Sequence, residues 1–268
     1  MNFSMELLKD LRDKTGAGMV DCKNALEEAG GELNKAVEIL RKKGIAKAAK
    51  RGDREAKEGV IKILVNDDQK KGFILEISAE TDFVVRSEKF QTFANHAISA
   101  MKENSLDNLN DLLNFKLSEF SVKETLENLS GVIGEKMELK GADSLSSDGA
   151  VAGYSHMNGR IGVLVAIDKE DNELARELAM QIAASNPRYI SPEDVEETEI
   201  AKEKEIYHEQ LKMEGKAEEM IEKIMGGKLN KFYDEVCLVK QECIKDDKKK
   251  VENILNGAKI IKFIRYSL

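Results

Sequence analysis

Hydrophobic residues recur every three or four positions through the first 44 residues of this 268-residue chain, which predicts three short amphipathic helices. The second helix runs from about Met19 to Ala29 and carries Met19 on its buried face. The third ends at Gly44, because glycine commonly follows the last residue of a helix. A module of roughly forty residues buries little apolar area, so we expect it to dock on another surface.

From residue 59 onward the hydrophobic period changes to two. Two alternating runs flank a polar turn and predict a β-hairpin over residues 60–77, followed by a helix from about Ser87 to Glu103. A second predicted hairpin, over residues 150–167, matches the first without gaps at a shift of 90 residues, and a helix follows it too. We interpret this match as an internal duplication of a hairpin-plus-helix unit.

The two copies differ most in the connection between hairpin and helix. It is twelve residues long in the first copy (78–89) and seven in the second (168–174). The five additional residues fall around the loop Thr81-Asp82-Phe83-Val84. One interpretation is that Phe83 packs under the following helix as a staple; the other is that it faces outward to contact a partner. The second copy closes without these residues, which weakens the staple interpretation.

Two further helical segments and a last strand complete the predicted elements. Helical spacing of apolar residues predicts a helix over about 122–137 that ends near Gly141. Residues 193–225 are highly charged with a narrow apolar stripe, which predicts a protruding helical hairpin that ends at Gly226-Gly227. Residues 258–264 alternate as a strand does.

These elements predict an α+β protein whose core consists of two related hairpin-plus-helix subdomains with small antiparallel sheets. The predicted division of the chain is a three-helix module with a basic linker (1–54), a first core subdomain containing the Thr81–Val84 loop (55–140), a second core subdomain (141–192 and 226–268) and an inserted helical hairpin (193–225).

The charge balance bears on the class of partner. Forty-two basic and fifty acidic residues give a net charge of -8, which argues against a general nucleic-acid binder. Residues 41–57 are the local exception, with eight basic residues against two acidic ones. This run is either a solvated helix end and linker or a patch that faces RNA or an acidic partner.

The motifs of common catalytic and cofactor sites are missing from the sequence. There is no phosphate-binding G-x-x-x-x-G-K-[ST], no H-E-x-x-H and no serine nucleophile elbow, and the three histidines have no metal-ligand spacing. The three cysteines lack C-x-x-C spacing and predict no disulfide framework. No apolar run approaches the ~20 residues of a membrane span, and the N-terminus shows no targeting pattern. We therefore expect a cytoplasmic protein that is not an enzyme and needs no cofactor or metal.

Several segments, in chain order, resemble the bacterial translation elongation factor Ts family, and together they extend over almost the whole chain. They are Thr15–Lys23, Thr81–Val84, His156 with Gly159–Val165, Ala183–Pro187, Gly227–Phe232 and Phe263–Arg265. One departure is Val20, which stands where the family often has methionine.

The resemblance implies a module like a ubiquitin-associated (UBA) domain, a two-part core, an inserted coiled-coil hairpin and a function. That function is guanine nucleotide exchange on the GTPase elongation factor Tu during translation. In the family, the loop here formed by Thr81, Asp82, Phe83 and Val84 inserts its Asp and Phe between helices of the GTPase, disturbs the magnesium site and loosens GDP. The resemblance also implies supporting contacts, made by Arg12, Met19, Val20 and His156.

Two alternative functions stay open at this point. One is an RNA-binding protein that uses the basic residues 41–57. The other is an adaptor whose N-terminal helices bind a ubiquitin-like or peptide partner.

Overall fold

The computed structural model of the protein describes residues 4–268, apart from the side chain of Lys47. Residues 1–3 of the predicted N-terminal module lie outside this range. The module contains three helices, α1 (Met5–Thr15), α2 (Met19–Glu28) and α3 (Leu33–Ala49). They pack around a small core in which Leu11, Cys22 and Leu26 are fully buried. The likeness of this module to a UBA domain stays a prediction.

Two sequence predictions for the module are wrong. α3 continues past Gly44 for another five residues, because Gly44 lies against the helix Val122–Ile133 (α7) and does not end its own helix. A methyl group added at Gly131 of that helix would lie 2.6 Å from the Cα of Gly44. Met19 is 39% exposed, since the buried face of α2 consists of Cys22, Ala25 and Leu26.

The rest of the chain forms two small sheets with helices packed on them. In chain order, the elements are β1 (Glu58–Val65), β2 (Lys71–Ala79), α4 (Asp82–Arg86), α5 (Glu88–Asn104), α6 (Leu109–Asn114), α7 (Val122–Ile133), β3 (Met137–Ser146), β4 (Ala150–His156), β5 (Ile161–Ile167), α8 (Asn172–Ser185), α9 (Glu197–Met213), α10 (Glu218–Val236), β6 (Glu242–Cys243), β7 (Asp246–Lys250), α11 (Val251–Ile254) and β8 (Ile260–Ser267). None of the helices in residues 4–268 combines the length and the apolar character needed to cross a membrane.

The core contains two antiparallel three-stranded sheets, ordered β1-β2-β3 and β4-β5-β8. Their hairpins keep the 90-residue shift in register: Val60 pairs with Ile77 in the first, and Ala150 with Ile167 in the second. A helix covers each hairpin, α5 on the first sheet and α8 on the second. The predicted α+β class and the duplicated unit are therefore confirmed.

The two sheets pack against each other through their inner faces. On β2, Phe73 and Leu75 pack in the cluster that contains α5, whereas Ile74 packs with Leu164 of the second sheet. Because both faces are buried, β2 is apolar along most of its length. Gly162 permits this close approach, since a methyl group there would lie 2.3 Å from Cγ2 of Ile61.

The predicted end of the helix α7 near Gly141 is wrong. α7 stops at Gly134, which has a left-handed φ of 91°, and Met137 begins the strand β3. Ile133 and Met137 are four residues apart, a spacing that fits one helix face, but Met137 and Leu139 bury alternate positions of a strand. β3 crosses residue 140, where the predicted boundary between the two core subdomains lies. The four-part division of the chain stays a prediction.

The predicted end of the helical hairpin at Gly226-Gly227 is also wrong, because α10 continues to Val236. Phe232 and Val236 extend its apolar face and pack with Val195. Each glycine costs a helix interior about 1 kcal/mol relative to alanine, which this packing offsets. α9 and α10 otherwise form the antiparallel pair predicted over 193–225.

Candidate partner-binding site

The segment Thr81–Val84, which the sequence predicted to be a loop, forms the N-cap and first residues of the short helix α4. Thr81 is its N-cap, with Oγ1 accepting a hydrogen bond from the backbone N–H of Val84 at 3.4 Å. Asp82 lies in the first turn and pairs with Arg86 at 2.9 Å. α4 is five residues long, and the connection between hairpin and helix is also five residues longer in the first copy than in the second.

The side chains of α4 divide between the interior and the surface. Phe83 is 82% exposed, whereas Val84 is 8% exposed and packs in the core of the first sheet. The interpretation of Phe83 as a staple under the following helix is therefore wrong. An exposed phenyl ring beside the half-exposed carboxylate of Asp82 forms a small amphipathic projection.

Glu135 holds the start of α4 in place. Its carboxylate accepts hydrogen bonds from the backbone N–H of Thr81 at 3.0 Å and from the hydroxyl of Thr81 at 2.9 Å. Glu135 is itself fixed, because the hydroxyl of Ser130 donates to its backbone carbonyl at 2.6 Å. The N-cap of α4 is thus attached to the end of α7.

A second set of hydrogen bonds holds the end of α4. The amide of Gln91 donates to the carbonyl of Val85 at 2.7 Å, and Lys62 donates to the Gln91 side-chain oxygen at 2.8 Å. Burial lowers the pKa of Lys62. The hydroxyl of Ser87 donates to the carbonyl of Val84 at 2.7 Å. Both ends of α4 are therefore fixed to the core while Phe83 stays exposed.

Glu80, directly before Thr81, joins this support to the linker that follows α3. It accepts hydrogen bonds from the backbone N–H of Lys136 at 2.5 Å and from Arg54 at 3.2 Å. The hydrogen bond from Lys136, together with that from Arg54, lowers the pKa of Glu80. Both hydrogen bonds therefore favour the ionised form of the carboxylate.

The N-terminal module meets the core close to α4. Lys89, in the first turn of α5, donates a hydrogen bond to the carbonyl of Gly16 at 3.3 Å. The turn containing Gly16 leads directly into α2, where Met19 and Val20 are exposed, Val20 by 72%. Arg12, on α1, is also exposed. The module thus presents these side chains from a position tied to the helix that follows Phe83.

His156 lies at the end of β4, on the second sheet. It is exposed and stacks with Tyr154, whose hydroxyl is 3.3 Å from its Nδ1. Arg160, at the end of the same turn, pairs with Glu58 at 2.9 Å. Glu58 is paired with Ala79 in the sheet, so the turn is attached to the end of the hairpin from which α4 begins.

The basic run 41–57 is largely engaged within the chain. Arg41 pairs with Glu124, and Arg51 donates to the carbonyl of Ser130 at 3.3 Å. Three further members pair with carboxylates: Lys43 with Glu28, Arg54 with Glu80 and Lys57 with Glu55. These contacts bind the run to the protein's own acids and weaken the alternative of an RNA-binding patch. The side chain of Lys47 lies outside the described residues.

Two other features bear on the chemistry of the site. Within residues 4–268, no group of three or more His, Cys, Asp or Glu residues is arranged to hold a metal ion. The three cysteines are buried, and burial raises the pKa of each thiol, that of Cys237 to about 11. Thiols in such surroundings are poor nucleophiles.

Sequence reasoning missed the side chains that support α4, namely Glu135, Gln91 and Lys62. It also missed Lys89, which attaches the N-terminal module to α5. Glu135 lies 54 residues from Thr81 in the chain, and Lys89 lies 73 residues from Gly16. No local pattern marks such partners, because the fold alone brings them together.

Comparison with known proteins reveals close relatives. A protein-family model described as Elongation factor TS matches residues 80–268. Elongation factor Ts of Chlorobaculum tepidum is 47% identical over 283 residues, which cover 99% of this chain and 98% of that protein. Elongation factor Ts of Halothermothrix orenii is 42% identical over 277 residues, covering 100% of this chain and 93% of that protein. Elongation factor Ts of Clostridium botulinum (strain Alaska E43 / Type E3) is 42% identical over 279 residues, which cover 98% of this chain and 92% of that protein.

Proposed function

The chain belongs to the elongation factor Ts family, and on this premise we propose that it binds the GTPase elongation factor Tu and promotes the release of GDP. It acts in translation elongation as a nucleotide exchange factor and performs no chemistry of its own. Its contribution is binding energy directed at one state of the partner.

The exposure of Phe83 carries the proposal. An 82% exposed phenyl ring on a helix that is hydrogen-bonded at both ends is already in a conformation that can bind. Such preorganisation reduces the entropy lost on association. Aromatic anchors of this kind supply about 2 kcal/mol or more when they are buried in a partner.

The energetics of exchange follow from linkage. A protein that binds the nucleotide-free GTPase best weakens nucleotide binding by the same factor by which nucleotide weakens its own binding. The nucleotide is held through phosphate contacts and Mg²⁺, whose octahedral geometry tolerates little distortion. Insertion of Phe83 and Asp82 beside that site would move its ligands. Each ~1.4 kcal/mol of coupling changes the nucleotide affinity tenfold.

The remaining predicted site residues have different parts in the proposal. Thr81 and Val84 anchor α4 to the core. Arg12, Met19 and Val20 add contacts from the N-terminal module. His156, on the second sheet, meets another domain of the partner.

The test is stopped-flow release of fluorescently labelled GDP from elongation factor Tu, with and without the protein. We expect the wild-type protein to accelerate release and Phe83→Ala to slow the accelerated rate by at least tenfold, with unchanged thermal unfolding. Ile244→Ala is the matched control, because Ile244 is an exposed aliphatic residue outside α4 and the module. A Phe83→Ala rate equal to that of Ile244→Ala would contradict the role of the ring, and no acceleration by the wild type would contradict the function.

A further inference from the structure

Lys62 occupies a position in β1 where the alternation of the strand calls for an apolar side chain. Its neighbours on the same face, Val60 and Leu64, pack in the core that α5 covers. Within the part of the chain that the structure describes, no carboxylate pairs with this half-buried lysine, and burial alone lowers its pKa. A charge removed from water without a counter-charge costs free energy, so its presence requires an explanation.

The ammonium of Lys62 is connected to α4 through the side chain of Gln91, in the first turns of α5. It donates a hydrogen bond to Oε1 of Gln91 at 2.8 Å. At the other end of the same amide, Nε2 donates to the backbone carbonyl of Val85 at 2.7 Å. Val85 follows Phe83 by two residues in a helix of five, so a displacement of its carbonyl also displaces the exposed ring.

The amide of Gln91 satisfies both of its neighbours in one orientation only. An ammonium has donors and no acceptor, whereas a backbone carbonyl has an acceptor and no donor. With Oε1 towards Lys62 and Nε2 towards Val85, both hydrogen bonds form. If the amide were turned over, donor would face donor and acceptor would face acceptor, and both bonds would be lost. Lys62 therefore determines which end of the amide is presented to α4.

We propose that Lys62 is a positioning residue that acts through Gln91. It fixes the amide in the orientation that holds the carbonyl of Val85, and thereby holds α4 with the ring of Phe83 in place. The inference rests on the exchange function proposed above for its consequence in GDP release, but its structural step concerns the free protein alone.

A different role for the lysine follows from its place in the sheet. β1 is an edge strand, and an inward-pointing charge on an edge strand prevents pairing with another chain. Edge protection needs the charge of Lys62 but not the amide of Gln91, and it predicts no change in α4 when the charge is removed. The two roles are therefore separated by measurements on α4.

The first measurement uses the free protein and the substitution Lys62→Met. We expect the side-chain amide signals of Gln91, assigned through Gln91→Leu in ¹H–¹⁵N NMR spectra, to shift. The backbone amides of Val85 and Ser87, both hydrogen-bonded within α4, should exchange with solvent about fivefold faster, roughly the effect of one hydrogen bond. Thermal unfolding should not shift to lower temperature, because the substitution removes a half-buried charge. Lys262→Met, at an exposed lysine of β8, is the matched control and should leave these signals unchanged.

The second measurement is stimulated GDP release from elongation factor Tu, followed by stopped flow. Lys62→Met should slow it about fivefold. Gln91→Glu should slow it by a similar factor although it can still pair with Lys62, since its second oxygen would face the carbonyl of Val85. This variant also covers a failure of Lys62→Met to fold. Asn95→Asp, the same exchange of amide for acid at an exposed position of α5, is its control and should behave as wild type.

A double variant shows whether Lys62 acts through the amide. In a Gln91→Leu background, Lys62→Met should cause no further loss of stimulated GDP release. Additive losses would overturn the proposal, and so would wild-type exchange of the Val85 amide in Lys62→Met, which leaves edge protection as the role of the lysine. If Lys62→Met loosens α4 in the free protein but the wild type does not accelerate GDP release, the positioning of α4 is supported and the exchange function is contradicted.

Discussion

Glu135 accepts hydrogen bonds from both the backbone N–H and the hydroxyl of Thr81, at 3.0 and 2.9 Å. Thr81 in turn caps α4, so a carboxylate at the end of α7 determines where the exposed ring of Phe83 stands. The contact joins residues 54 positions apart. It makes Glu135 a positioning residue for the proposed exchange function.

We expect Glu135→Ala to slow stimulated GDP release about fivefold, because loss of a cap interaction costs about 1 kcal/mol. Thr81→Val should act similarly, since it removes the capping hydroxyl and keeps the shape of the side chain. The measurement pairs GDP release with hydrogen exchange of the Val84 and Val85 amides. A purely structural role would change thermal stability without loosening these amides, and unaltered exchange at both would contradict the positioning role.

Asp82→Asn should slow GDP release by at most about fivefold, less than Phe83→Ala. The Asp82 carboxylate is 45% exposed and paired with Arg86, and exposed ion pairs contribute about 0.2–1 kcal/mol. The difference from wild type should shrink as salt is added, because the Debye length falls from ~10 Å at 0.1 M to ~3 Å at 1 M. Asp67→Asn, in the exposed hairpin turn, is the control and should behave as wild type. A salt-independent loss as large as that of Phe83→Ala would count against this account.

The sequence predicts the two hairpins well because strand periodicity and the 90-residue repeat agree. It also supports the exposure of Phe83, since the second copy lacks the five residues of α4. It fails at Met137, where a spacing of four after Ile133 fits a helix although the residue begins β3. Helical spacing and strand alternation cannot be separated over so few residues.

Two glycines lead to wrong predictions of helix ends. Gly44 and Gly227 both predict helix ends, yet both lie inside helices. At Gly44 the reason is the close approach of α7, and at Gly227 it is the packing of Phe232 and Val236 farther along the helix. Such tertiary contacts override local propensity, and one sequence does not reveal them.

The helix crossing at Gly131 predicts opposite effects for two glycine-to-alanine substitutions. Gly131→Ala should lower the free energy of unfolding by about 1–3 kcal/mol, because its methyl group would overlap the backbone of Gly44. Gly227→Ala should raise it by up to about 1 kcal/mol, since no atom lies within 4 Å of the added methyl group. Denaturant unfolding followed by circular dichroism measures both. Stabilisation by Gly131→Ala would show that α3 and α7 do not cross so closely.

His208 connects the two helices of the inserted hairpin, with Nε2 2.6 Å from the carboxylate of Glu218. This hydrogen bond raises the pKa of His208, with the charge of Glu209 acting in the same direction and that of Lys212 and burial opposing it. A pKa above the unfolded value of about 6.5 stabilises the folded state below that pH, and the contribution is lost as the pH rises through the folded value. The thermal transition of wild type should therefore exceed that of His208→Gln below about pH 6 and converge with it in alkaline solution.

In an NMR titration, the His208 ring, assigned through His208→Gln, should show a higher midpoint in wild type than in Glu218→Gln. Glu219→Gln, which alters the adjacent exposed carboxylate, should leave that midpoint unchanged, and equal midpoints in wild type and Glu218→Gln would rule out the pair as the cause.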